Sequence, residues 1–110
     1  MIIRAATYKI LSERLYLDSQ IRCVDVAKAI GTNRTYLWEA LRLRGMGFQE
    51  FMGKFRIRYF IEKAYEFRDL PSDSIAERCG FGDRSTLNRY LKRMFGITLM
   101  EYMKMVSQGL

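Results

Sequence analysis

Apolar residues recur three or four positions apart along most of the chain, and no cluster suggests a long strand. Tyr8, Leu11 and Leu15 fit a first helix running from Ile3 to Leu17. Val24, Ala27 and Ile30 fit a short second helix ended by Gly31. Asn33 is placed to cap a third helix that runs toward Arg44, after which Gly45-Met46-Gly47 breaks the pattern. Phe48, Phe51, Met52, Phe55, Tyr59, Phe60, Ala64 and Phe67 then mark one long helix, a rod of about 20 residues and about 30 Å. Asp69-Leu70-Pro71 interrupts it, with the proline at or near a new helix start. A short helix follows to Cys79 and stops at Gly80. Asp83 caps another from Arg84 to Phe95, stopped by Gly96, and Thr98 opens a last short helix through Tyr102.

The pattern repeats internally. Val26-Ala27, three residues and Gly31 match Ile75-Ala76, three residues and Gly80. Each glycine precedes a polar cap and a helix with an apolar pair, Leu37 and Leu41 in the first case, Leu87 and Leu91 in the second. The second turn is one residue longer. Helix, glycine-bearing turn and second helix together make the helix-turn-helix layout. The small alanine suits a close helix crossing, and the glycine suits a left-handed turn residue.

Helical wheels sort the second helix of each unit into two faces. In the first unit Tyr36, Leu37, Ala40, Leu41 and Leu43 share the predicted inner side, and Arg34, Thr35, Trp38, Glu39 and Arg42 the outer. Trp38 either packs on a neighbouring helix or lies against sugars and base edges, including thymine methyls. Glu39 either accepts from a cytosine amino group or pairs with Arg42 or Arg34; the surface pairing is favoured. In the second unit Leu87, Tyr90, Leu91, Met94 and Phe95 turn inward. Ser85, Asn88, Arg89, Lys92 and Arg93 turn outward, with Arg84 at the exposed first turn. That face holds four cations and no acid beyond the Asp83 cap, whereas a merely solvated face usually mixes signs. Arginine can pair with both guanine acceptors in the major groove, while Lys92 and Arg93, deeper along the helix, suit phosphate. Lys54, Arg56 and Arg58 on the long helix read as solvated charge.

Charge supports the same direction. The 110 residues carry 19 Lys and Arg against 12 Asp and Glu, a net charge of +7. That balance favours an acidic partner, nucleic acid or an anionic membrane surface. No apolar run approaches the roughly 20 residues of a membrane span, and the N-terminus lacks the apolar core of a signal peptide. Cys23 and Cys79 each sit in an apolar stretch and read as reduced, buried thiols. A soluble cytoplasmic protein is expected. The chain has no histidine, no metal-ligand spacing, no glycine-rich phosphate loop and no nucleophile–base pair. Neither catalytic residues, nor a metal, nor a cofactor is expected.

These residues resemble the DNA-binding domain of the AraC/XylS family of bacterial transcription regulators. The specific stretch is Asp69-Leu70-Pro71, then Ile75 through Phe81, then Leu87-Asn88-Arg89-Tyr90-Leu91-Lys92-Arg93-Met94-Phe95-Gly96-Ile97-Thr98 and Glu101-Tyr102. The first half matches through Ala27, Gly31, Tyr36-Leu37 and Phe48-Gln49-Glu50-Phe51. The resemblance implies an all-α fold of seven helices. Two helix-turn-helix subdomains, about residues 3–47 and 69–110, would be joined by a linker helix at about 48–68. It implies that Thr35, Trp38 and Glu39 occupy the base-reading slots of the first unit, and Arg84, Ser85 and Arg89, with Thr86 beside them, those of the second. Arg34, Arg42, Asn88, Lys92 and Arg93 are the expected phosphate contacts. A basic residue is common in the family where Glu39 stands.

The expected function is sequence-specific binding of double-stranded DNA, with two recognition helices about one helical turn, near 34 Å, apart. Transcriptional regulation would follow through RNA polymerase or through a fused or separate sensor domain. The alternative is a protein-interaction module in which only the second helix-turn-helix touches DNA.

Overall fold

A computed structural model describes residues 1–109. Their helices are α1 Ile2–Ser12, α2 Cys23–Ala29, α3 Arg34–Arg42, α4 Phe48–Lys63, α5 Ser72–Arg78, α6 Arg84–Phe95 and α7 Leu99–Ser107, with a 3-10 turn at Leu15–Leu17. No strand occurs among the described residues, so the expected seven-helix, all-α fold holds. The chain forms two compact units, Met1–Phe55 and a second beginning at Arg56, and α4 runs through the junction.

In each unit one hydrogen-bonded turn sets the path between two helices. At the end of α2, the Gly31 N–H donates to the Lys28 carbonyl at 3.1 Å and the Thr32 N–H to the Ala27 carbonyl at 2.9 Å. At the end of α5, the Gly80 N–H donates to the Glu77 carbonyl at 3.1 Å and the Phe81 N–H to the Ala76 carbonyl at 2.9 Å. Both are helix stops in which a residue with positive φ reverses the chain and satisfies the last carbonyls. The glycines supply that conformation, with φ of 75° at Gly31 and 88° at Gly80. Asn33 then caps α3 by accepting from the Tyr36 N–H at 3.0 Å, and Asp83 caps α6 by accepting from the Thr86 N–H at 2.8 Å. The repeat read from the sequence is therefore a repeat of hydrogen bonds. The extra residue of the second turn is Gly82, also at positive φ.

In the first unit α1, α2 and α3 pack on one another. Their fully buried residues are Ala6, Ile10, Val26, Ala27, Leu37 and Leu41. Phe51 and Phe55 from the start of α4 meet edge to face with ring centres 5.1 Å apart. In the second unit Ile57, Phe60, Ala64 and Phe67 join Ile75, Ala76, Cys79, Phe81, Leu87, Leu91 and Leu99 in one core. Burial alone pushes the Cys79 thiol up to about 12, so it stays protonated.

Several boundaries and faces differ from the sequence pattern. α1 stops at Ser12 rather than Leu17, because Arg14 takes a left-handed conformation (φ 54°). Its buried stripe is Ala6 and Ile10, while Tyr8 is 72% exposed. α4 ends at Lys63, short of Phe67. There the Tyr65 carbonyl accepts both the Arg68 N–H at 3.2 Å and the Arg68 guanidinium at 2.8 Å, tightening the chain into turns. Phe67 keeps its place in the core because those turns preserve the facing side. α7 continues past Tyr102 to Ser107, since Met103 and Val106 pack on the core and no breaker intervenes before Gly109. Arg56 is buried rather than solvated, whereas Lys54 and Arg58 are exposed. No buried side-chain nitrogen or oxygen among the described residues lacks a hydrogen-bond partner.

Gly31→Ala is expected to destabilise the protein by about 1–2 kcal/mol, read as a lower urea midpoint. An added methyl there meets nothing within 4 Å, so the loss is purely conformational. Leu87→Ala removes a fully buried side chain and is expected to cost about 2–5 kcal/mol by the same measurement.

Candidate nucleic-acid interface

Because Leu87 and Leu91 are fully buried, the opposite side of α6 must face solvent. Ser85, Arg89, Lys92 and Arg93 are all exposed there, Arg84 is exposed at the first turn, and Thr86 is half-buried. No salt bridge among the described residues engages any of the four cations, although the Asp83 and Glu101 carboxylates lie near enough to feel Arg89 and Lys92 respectively. Met94 and Phe95, expected inside, are each 46% exposed. Only a narrow stripe of α6 meets the core.

Asn88 differs from its neighbours. Its side chain is half-buried, and its Oδ1 accepts from the Leu99 N–H at 2.8 Å, tying α6 to the first turn of α7. Only its Nδ2 is left for the phosphate contact expected of it. Asp73 makes a second such tie, its Oδ1 accepting from the Arg84 N–H at 3.3 Å. Beside these ties a cleft of about 360 Å³ is lined by Ser72, Arg84, Ser85, Asn88, Thr98, Leu99 and Met100. The sequence pattern singled out the α6 residues of this cleft but not the flanking Thr98, Leu99 and Met100. Nothing in their local spacing distinguishes a cap that lines a cleft from one that does not.

The outer side of α3 is built differently. Thr35 and Arg34 are exposed, and Glu39 is half-buried. Arg42 clasps Glu39 through two hydrogen bonds, 2.5 and 3.3 Å long, which is the pairing favoured from sequence. The hydrogen bond from Arg42 holds the Glu39 carboxyl below its ordinary range, and the same bond raises Arg42. The Arg42 guanidinium also lies 5.7 Å from the centre of the Trp38 ring. Trp38 is 48% exposed and so is not absorbed into the core. Tyr36 and Leu43, assigned inward by the wheel, are 61% and 76% exposed. The core of this unit takes only Leu37 and Leu41 from α3, so its flanks stay outside.

The sequence profile of the helix-turn-helix domain family matches residues 26–105, and the chain belongs to that family, in the AraC/XylS type that its motifs resemble. Domains of this type are DNA-binding modules of transcription regulators. Among solved structures, the C-terminal domain of AraT, a response regulator from Geobacillus stearothermophilus, shares the fold. It has a TM-score of 0.68 and 24% identity over 94% of this chain and 84% of that one. No curated protein sequence matches. No described helix is long and apolar enough to cross a membrane. No group of three or more His, Cys, Asp or Glu among the described residues could hold a metal ion.

Asn88→Ala leaves the Leu99 N–H without its partner and is expected to cost about 1 kcal/mol in urea unfolding. The Thr86 N–H that Asp83 accepts holds its carboxyl below the ordinary carboxylate range. The stability this adds is present above that range and disappears as pH falls through the depressed native value. Asp83→Asn keeps a good cap but removes the titration, so its urea midpoint is expected to fall less between neutral and acid pH than that of the unmodified chain.

Proposed function

We propose that this domain binds double-stranded DNA sequence-specifically, laying α6 in the major groove and using α3 on a neighbouring groove segment. One observation carries the reading: α6, held to the core by Leu87 and Leu91, exposes four cations that no salt bridge among the described residues engages. A cationic helix face of this kind gains affinity by releasing counterions from phosphate and gains discrimination by pairing with base edges. Arg84, Ser85, Thr86 and Arg89, on the first turns of α6, are the proposed base readers. Lys92 and Arg93, further along, are the proposed phosphate contacts, joined by Asn88 through its Nδ2. On α3 the proposed readers are Thr35 and Trp38, with Arg34 toward phosphate and the Glu39–Arg42 pair beside the Trp38 ring.

The output is regulation of transcription rather than catalysis. The structural neighbour is described as part of a response regulator. By analogy, this domain would act under a sensor domain, fused or separate, or by contact with RNA polymerase.

Selection from random duplex DNA is expected to enrich a bipartite motif with half-sites about ten base pairs apart. On the enriched duplex, Arg89→Ala is expected to cost about 1–3 kcal/mol and relax preference at one position. Lys92→Ala should weaken all sequences alike and lower the salt slope by about one. Equal losses for Arg89→Ala on enriched and random duplex would remove Arg89 from base reading. Binding indifferent to salt would overturn the cationic-face model.

A further inference from the structure

The hydrogen-bonded repeat puts α3 and α6 in register, with Asn33 of one matching Asp83 of the other. In that register the two outward faces are chemically unlike. Glu39 stands where α6 has Arg89, and Leu43 where it has Arg93. Tyr36 stands where α6 has Thr86. Leu37 and Leu41 fix the inward direction of α3, and at 100° per residue Glu39 then lies close to the outward pole, with Tyr36 and Leu43 within about 60° of it. The cation at this pole, Arg42, is already held by Glu39 and lies over Trp38. The centre of this face therefore carries a neutralised ion pair with Tyr36 and Leu43 beside it and Trp38 at its edge, all three about half exposed or more, while Arg34, the remaining cation of α3, is exposed at the first turn.

Such a face gains little from phosphate, and a carboxylate at its centre is repelled by it. The major groove floor offers one apolar feature, the 5-methyl group of thymine. We propose that α3 reads thymine methyl groups through Tyr36, Trp38 and Leu43, with the Glu39–Arg42 pair as a neutral brace that fixes the Trp38 ring. This rests on the DNA-binding reading above. The brace matters because Arg42 and Trp38 are held before contact, which lowers the ordering cost on binding. Discrimination by these apolar side chains is then short-range and independent of salt, whereas attraction by the cations of α6 is long-range and screened by it.

Thymine-to-uracil exchange removes only the methyl group and tests this directly. The full chain is titrated by fluorescence anisotropy against the enriched duplex, with each thymine replaced in turn by uracil. Uracil is expected to weaken binding about fourfold per buried methyl at thymines of one half-site, and to be silent in the other. In a Tyr36→Ser, Trp38→Ala, Leu43→Ser variant the thymine and uracil duplexes should bind alike, with the salt slope unchanged. These positions are exposed, so the variant should keep its helical circular dichroism and melting transition. If it does not fold, the uracil scan of the unmodified chain decides alone. Tight duplex binding with uracil silent at every position would overturn the proposal. So would thymine preference that survives in the folded triple variant, which would place methyl reading on other side chains. A chain that binds no duplex at all would overturn the DNA-binding reading, and this proposal with it.

Discussion

A single pair of backbone hydrogen bonds in each unit governs what the molecule can present. The Ala27 and Ala76 carbonyls accept from the N–H groups of Thr32 and Phe81, across glycines held at positive φ. Those bonds end one helix and aim the next. The accepting residue is alanine, fully buried, with only a methyl group between the helices. Once aimed, α3 and α6 each sink a leucine pair into the core, and their opposite sides must face outward. The functional face is thus a remote consequence of a glycine conformation. Apart from Asn88, whose oxygen holds the start of α7, the outward side chains take no part in setting it, so their chemistry is free to vary between the units.

Elements with local chemical stops were legible in the sequence. α3 and α6 begin at Asn33 and Asp83 and end near glycines, and both follow the expected bounds closely. Elements whose ends depend on the rest of the fold were not. Arg14 takes a left-handed conformation that no sequence rule assigns to arginine, and α1 ends there. The aromatic spacing through Phe67 extends past the end of α4 because turns and helix can keep the same side facing the core. Periodicity also locates an apolar stripe without giving its width. The width depends on how much core each helix meets, and here it is narrow enough to leave Tyr36, Leu43, Met94 and Phe95 largely outside. Arg56 illustrates the converse, a cation drawn into the interior at a position that spacing alone reads as surface.

The candidate site was legible to the same degree and for the same reason. Residues on the outward pole of α6 follow from the leucine pair, and the structure exposes its four cations. Asn88 looked like one more outward polar group, and only the three-dimensional arrangement shows its oxygen committed to the start of α7. Glu39 pairs with Arg42 because residues three apart on a helix are neighbours, so that contact was readable from spacing. The exposure of Tyr36 and Leu43 was not, although comparison with Thr86 and Arg93 in the repeat would have marked them as facing outward.

The contrast between the two outward faces assigns different ranges to different forces. In the proposed complex, counterion release through α6 would act whatever the sequence and hold the domain on duplex without selecting a site. A second helix with the same cations would deepen that hold equally at every site, strengthening binding without improving the ratio of specific to random affinity. In the proposed reading, the apolar side chains of α3 add nothing at a mismatched site, where they meet polar edges. At a site with methyls in the right places they add the burial of those groups. Pairing Glu39 with Arg42 is what would make the proposed arrangement possible. Without the acid, Arg42 would add to attraction at every site, and without the arginine, Glu39 would oppose the phosphates. On the proposed reading, specificity would depend on charge removed from one helix as much as on charge placed on the other.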